Sequence, residues 1–290
     1  MLLILTSAVW GLGFVAQRAG MEFVGPFLFN AVRFALGSLS LVPLVLLRRK
    51  RSQVKGEGVS GRQVFIWSLF VGVVLFLAAS LQQVGIVHTT AGKAGFITGL
   101  YVVLVPILGM AVGHRTGLPT WAGAALAVAG LYLLSVTRGL SIEKGDLIVL
   151  VGSCFWAVHV LCIDRYSRRI DPIVLSCIQF AWCSLFSFLV VFLSEPIDVS
   201  AVLDAAVPIL YGGLCSVGVA YTLQVVAQRN APPAHAAIIL SMEALFAVIG
   251  GVLILHETLT ARGWTGCACM LAGMLITQWE VLVKKRRLSR

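Results

Sequence analysis

The chain has 290 residues, of which 59% are hydrophobic and only 12% charged, with a mean hydropathy of +0.97. A soluble domain carries about 25% charged residues, and the acidic and basic side chains here are too few to cover a globule of this size, so soluble and disordered classes are excluded and an integral membrane protein remains. The net charge of +10 does not point to nucleic acid, because the basic residues cluster in short loops between apolar runs, where anionic lipid headgroups lie.

A helix needs about 20 apolar residues to cross a hydrocarbon core of about 30 Å. Ten such runs follow one another: 1–16, 26–47, 64–86, 94–112, 120–137, 147–163, 172–193, 203–226, 232–255 and 263–283. The longest connection, 48–62, is a charged Gly/Ser stretch with no room for a soluble domain. Strands of a membrane barrel would alternate every second residue over about ten residues, whereas these runs are continuously apolar. The first run lacks the basic lead and small-residue cleavage site of a signal peptide and has a copy in mid-chain, so it is read as a span. The true N-terminus is expected to extend slightly beyond Met1.

Orientation follows from Lys and Arg. With the N-terminus inside, the cytoplasmic segments hold sixteen of the 22, in clusters such as Arg48–Arg51, Arg165–Arg169 and Lys284–Arg287, and the outer segments hold five. Arg33 lies within a span. Both termini are therefore expected in the cytoplasm. All seven cysteines fall inside spans, with no spacing that suggests zinc, and are read as small packing residues.

The chain contains itself twice. A shift of 146 carries Trp10 onto Trp156, Pro26 onto Pro172 and Phe34 onto Phe180. A shift of 142 carries Gln82 onto Gln224, Gly109 onto Gly251 and His114 onto His256. At 143, Gly123 and Gly130 fall on Gly266 and Gly273. Five helices per half means that the second half enters the membrane from the opposite side. The expected fold is an all-α integral membrane protein with ten transmembrane helices as two inverted five-helix repeats, residues 1–138 and 139–290. Inverted repeats are a signature of secondary transporters, because two similar gates facing opposite leaflets alternate access to a site near the midplane.

The residues that carry these offsets also resemble the drug/metabolite transporter superfamily, in its ten-helix branch with two EamA-type domains. The resemblance rests on Trp10-Gly11-Leu12-Gly13-Phe14, Asn30-Ala31-Val32-Arg33-Phe34, the stretch from Thr90 to Phe96, the stretch from Leu100 to Pro106, Ser241-Met242-Glu243 and the stretch from His256 to Thr260. Two positions depart from the family pattern: His256 replaces a small residue, and Ala244 replaces a proline that would kink the ninth helix. The resemblance implies a secondary carrier with its pathway between the halves, and export as the direction. It brings Tyr101 into the set of binding residues, and it implies a structural or gating role for Arg33.

Ionisable groups in mid-membrane are costly and each needs a reason. Glu243 falls near the bilayer centre, as a cavity carboxyl that binds a cation or shuttles a proton, or as a protonated partner in a helix interface. Gly152, Trp156 and His159 share a helix face, where ring and imidazole suit a flat ligand or simply pack. Trp10 faces the same space by symmetry. Tyr221 and Gln224 lie in a polar strip on the eighth span, and Gln82 and Gln83 on the third; neutral amides suit a water-lined path or join helices. Lys93 and His235 are counterparts near opposite membrane faces, candidates for coupling or gating. The Gly pairs of the fifth and tenth spans either pack within the chain or form a homodimer.

No phosphate-binding loop, zinc-protease motif or nucleophile elbow occurs. No cofactor or metal is expected, and no nucleic-acid partner. The leading expectation is a plasma-membrane transporter, bacterial inner membrane in type, for a small organic metabolite or drug, with proton coupling through Glu243. The alternatives are an intramembrane enzyme using Glu243 and His159 as acid and base, or a receptor or scaffold that binds without transport.

Overall fold

The structure, a computed structural model, describes residues 1–51, 59–89, 91–114, 116–135, 144–246 and 260–288. His256 and Glu257 lie outside the described residues, as does the side chain of Lys93. Among the described residues the chain is helical, without strands. Lipid offers no hydrogen bonds, so a spanning segment must satisfy its own backbone, and continuous apolar runs meet that demand as helices.

The elements are α1 (Leu2–Gly20), α2 (Pro26–Arg51), α3 (Gly61–Val87), α4 (Ala91–Gly99), α5 (Tyr101–Ala111), α6 (Leu118–Ser135), α7 (Lys144–Tyr166) and α8 (Pro172–Ser194). The short α9 (Val199–Asp204) and α10 (Ala206–Leu210) lead into a π-helical stretch, Tyr211–Tyr221, which continues as α11 (Thr222–Gln228). Then come α12 (Pro233–Leu240) and α13 (Ala261–Leu288). Among the described residues seven helical segments are long and apolar enough to cross a membrane, and Leu118–Leu133 and Pro233–Phe246 are shorter apolar helices. Large apolar side chains such as Leu39, Phe192, Leu193 and Val207 face outward, each more than 60% exposed. A surface of this kind is stable against lipid tails and not against water, so the chain is a multi-pass membrane protein.

Three expected spans are interrupted. The fourth breaks at Leu100, between α4 and α5, and the ninth breaks at Ser241–Met242 before helix resumes at Glu243. Ala244 in place of proline therefore does not leave the ninth helix straight. The Met242 amide bonds to the Ile239 carbonyl at 3.2 Å and the Ala244 amide to the Ser241 carbonyl at 3.3 Å. These are three-residue steps that tighten the turn and change the helix direction. The eighth span carries the π-helical stretch, with Gly212, Gly213 and Gly218 inside it.

Helices without a hydrophobic drive between them associate through close packing and small residues. Helices α6 and α13 pack face to face at glycines: a Cβ on Gly130 would stand 2.6 Å from the Gly266 carbonyl oxygen, and one on Gly273 would stand 2.6 Å from that of Gly123. These glycines are thus used within the chain. Helix α3 meets α7 in the same manner, where a Cβ on Gly145 would come 2.7 Å from the Gly85 oxygen. Helix α2 meets the π-helical stretch where Gly37 touches Val217.

The pairings are α2 with α8, α6 with α13, α3 with α7, and α1 with the π-helical stretch. Helix α3 also packs on α8, α2 on the π-helical stretch, α5 on α7 and α12 on α1. The α2–α8 pair is clasped at both ends. At one end Arg48 pairs with Asp171 at 2.9 Å, while Asp171 caps the start of α8. At the other, Glu195 from the end of α8 accepts the Phe27 and Leu28 amides at the start of α2, at 3.0 and 2.8 Å. A carboxylate there satisfies orphan donors and complements the helix dipole.

Candidate functional site

The two broken helices bring Tyr101 and Glu243 together. Each is the first residue after its break, and the Tyr101 hydroxyl donates to Glu243 Oε1 at 3.4 Å. Discontinuous helices near the midplane are where transporters build their sites. Both residues are buried, Glu243 at 3% exposure.

Around this pair a cavity of about 30 Å³ is lined by Trp10, Tyr101, Trp156, Tyr221, Gln82, Gln224 and Glu243. The sequence had marked all seven. Tyr221 is the central ring: its centroid is 4.4 Å from that of Trp10, and it stacks on Trp156 at 5.9 Å with 23° between the planes. Helix α1 is held against the π-helical stretch by three polar contacts. Thr6 donates to the Ala220 carbonyl, Trp10 Nε1 to the Ser216 carbonyl at 3.3 Å, and the Tyr211 hydroxyl to the Val9 carbonyl at 2.8 Å.

A chain of amides runs from the cavity. Trp156 Nε1 donates to Gln82 Oε1 at 2.7 Å, Gln82 Nε2 donates to Gln17 Oε1 at 3.0 Å, and Gln17 Nε2 donates to the Gly13 carbonyl. On the other arm Gln224 Nε2 donates to Gln228 Oε1 at 2.8 Å, and Gln228 Nε2 to the Val160 carbonyl. The two arms differ at one point. The shifts of 146 and 142 make Trp10 and Gln224 the counterparts of Trp156 and Gln82, yet Trp10 bonds the Ser216 carbonyl instead, and Gln224 Oε1 has no partner among the described residues. One Trp–Gln bond is made and its counterpart is open.

Four of the expected residues are described and do not line the cavity. Gln83 donates to the Gln17 backbone carbonyl and braces α1 from behind. His159 sits one layer back: its ring meets Trp156 edge-on at 5.8 Å and Nε2 lies 2.9 Å from Gln179 Oε1. The shared helix face of Trp156 and His159 was correct, but the stripe turns away from the cavity by the width of the indole. Arg33 is buried between the faces of Phe29 and Phe34, 5.5 and 4.9 Å from their centroids, with Nε donating to Asn30. His235 lies 3.1 Å from Thr120 Oγ1, on the α6 side of α12. Lys93 belongs to α4, and its side chain is outside the described residues.

The cavity also takes Phe14, Gln17, Thr98, Val160, Ser216 and Leu240. Gln17 was missed because the first span was ended at Ala16, whereas α1 continues to Gly20. Its signal was present: Trp10, Phe14 and Gln17 fall at i, i+4 and i+7, one helix face. Ser216 was hidden by the π-helical winding, which shifts side-chain phase away from the 3.6-residue period.

The EamA-like transporter family model matches residues 1–136 and again residues 143–279. An uncharacterized transporter of Archaeoglobus fulgidus is 30% identical over 281 residues, covering 96% of this chain and 85% of that protein. The uncharacterized transporter YoaV of Bacillus subtilis is 22% identical over 289 residues, covering 98% and 97%. A protein of known crystal structure, 19% identical, superposes with a TM-score of 0.76 over 99% of this chain and 98% of that one, and so has the same fold.

Proposed function

Since the chain belongs to the EamA-like transporter family, and so is a membrane transporter, we propose that it is a secondary carrier of a small organic solute, working by alternating access across the plasma membrane without ATP. The two gates would be the inverted five-helix repeats 1–138 and 139–290, with both termini in the cytoplasm as the Lys and Arg distribution requires. Export is the direction we assign, from the family resemblance.

The observation that carries this reading is the made Trp156–Gln82 bond beside the open Trp10–Gln224 pair. Two counterpart latches around one cavity, one closed and one open, are what an alternating mechanism needs in one of its end states. In the opposite state Trp10 would bond Gln224 and Trp156 would release Gln82. The helix pairings support the exchange. When counterpart helices are swapped, α3 on α7 becomes the π-helical stretch on α1, and α3 on α8 becomes the π-helical stretch on α2. Both pairs occur.

At about 30 Å³ the cavity has room for a water or two, since one needs about 10–15 Å³ by this measure. An organic solute requires the halves to part, so the described conformation is a contracted one. Glu243 is proposed as the coupling group, loading a proton from one side and releasing it to the other. An enzyme using Glu243 and His159 as acid and base finds less support, because only Glu243 faces the cavity. Counterflow tests the proposal. Purified protein in proteoliposomes preloaded with members of a metabolite panel is predicted to exchange at least one of them for its labelled external form. Binding with no exchange across the panel would favour a receptor.

A further inference from the structure

We infer that the cavity takes an organic ammonium ion, a protonated amine with N–H donors on a flat apolar body. This deepens the reading of the cavity as the transport site and rests on it. The argument is one of unpaired polarity. Both indole donors on the wall are already engaged, Trp156 with Gln82 and Trp10 with the Ser216 carbonyl. The Tyr101 hydroxyl donates to Glu243. The amide nitrogens of Gln17, Gln82 and Gln224 each place one of their two N–H groups on Gly13, Gln17 and Gln228 respectively. The amide and carboxylate atoms of the wall with least partnering are acceptors: Gln224 Oε1, which has no partner at all among the described residues on a side chain 1% exposed, and the carboxylate of Glu243, whose one described bond is the long contact to Tyr101. The hydroxyls of Thr98, Ser216 and Tyr221 line the same space and serve in either role.

Charge and shape then narrow the class. Among the described residues no Lys or Arg lines the cavity. The guanidinium of Arg33 is held between Phe29 and Phe34. An anion entering would meet Glu243 with no cation among the described lining residues to offset it, and a buried like-charge pair is costly. A cation would satisfy the carboxylate and lie against the faces of Trp10, Trp156 and Tyr221, which attract positive charge. The open acceptor on Gln224 favours an ammonium that still carries hydrogens over a fully alkylated one, and the stacked rings favour a flat body.

The test is calorimetric titration of the purified wild-type protein with four probes that share a phenyl ring and a two-carbon chain: phenethylammonium, its N,N,N-trimethyl form, 2-phenylethanol and 3-phenylpropionate. The expected order places phenethylammonium first, about tenfold or more tighter than the alcohol or the carboxylate, with the trimethyl form between. Glu243→Gln is expected to bring ammonium and alcohol within about twofold, and Gln224→Leu to bring the primary and trimethyl forms together. Equal or tighter binding of the alcohol or the carboxylate by the wild type overturns the class without recourse to any variant. Equal binding of the two ammonium forms overturns the part assigned to Gln224. Exchange of labelled phenethylammonium across proteoliposomes separates the two layers of the argument. Selective binding without exchange sinks the transport reading and leaves the ligand class standing. Exchange of other solutes that excess phenethylammonium does not slow sinks the class and leaves transport standing.

Discussion

Tyr101 and Glu243 stand 142 positions apart, the same offset that carries Gln82 onto Gln224, and the hydroxyl of the first donates to the carboxylate of the second at 3.4 Å. Counterpart residues can touch only near the axis that relates two repeats. Each opens the helix that follows a break, at Leu100 and at Ser241–Met242. In the proposed alternating mechanism, the contact would mark the place where the two halves are displaced least while their flanking helices swing.

Glu243 is proposed as the group that couples movement to protons, and glutamine keeps its size without titrating. Glu243→Gln is predicted to abolish accumulation driven by an imposed pH gradient in proteoliposomes while retaining part of the exchange. Accumulation at the wild-type level in the variant would transfer the role to another group. A wild type indifferent to the gradient would make the protein a simple facilitator.

The Trp–Gln latches give opposite predictions for two similar changes. Trp156→Phe keeps an aromatic ring but removes the donor of a 2.7 Å bond and leaves a buried acceptor without it, a loss of about 1–3 kcal/mol to the described conformation. Trp10→Phe gives up only a 3.3 Å contact to a backbone carbonyl here, while removing the donor that Gln224 would need in the other state. Hydrogen exchange at the end of α3, around Gln82, should speed up in Trp156→Phe and slow down in Trp10→Phe. Changes of the same sign in both would argue that the two bonds do not alternate.

The α6–α13 contact tolerates no side chain. In Gly130→Val or Gly273→Val the new Cβ meets a carbonyl oxygen at 2.6 Å, so the helices must separate, at about 1–3 kcal/mol or more. Thermal unfolding in detergent should fall by several degrees in each. Gly61→Ala, at the start of α3 with nothing within 4 Å of the new Cβ, serves as the control and should match the wild type. Equal stability of all three would mean that these glycines do not set the distance between α6 and α13.

The orientation has its own check. Reporters fused at the C-terminus and inserted into 48–62 should both read as cytoplasmic, since these segments carry much of the basic excess. An external signal from either would remove the inversion on which the two-gate reading stands.

The membrane class, the helical fold and the family were legible because they rest on long-range averages: apolar run length, charge placement and repeat offsets. Much of the cavity was legible for a related reason. A Trp, a Gln or a Glu in a lipid-embedded helix is conspicuous against its neighbours, and Trp10, Gln82, Trp156, Tyr221, Gln224 and Glu243 do meet at one space. What was not legible depended on local backbone departures. Ala244 stands where a proline would kink the ninth helix, so the sequence carries no marker of the break before Glu243, yet the turn forms through three-residue hydrogen bonds. The π-helical winding from Tyr211 to Tyr221 sets which residues of that span face α1, and no 3.6-residue count recovers it. His159 shows a further limit. Spacing gives its face relative to Trp156 but not which of the two stands in front.

The central claim, that one central site faces the two sides of the membrane in turn, is tested most directly by a single cysteine at Thr98, a cavity residue 3% exposed, in a chain whose seven native cysteines are replaced. A membrane-impermeant maleimide is applied to sealed vesicles from one side or from the other. Alternating access predicts that the cysteine is labelled from both sides, each reaction slowed when the site is held in the opposite-facing state by Trp10→Phe or Trp156→Phe. Labelling from one side only, unchanged by either variant, would contradict it and leave a binding protein with a single mouth.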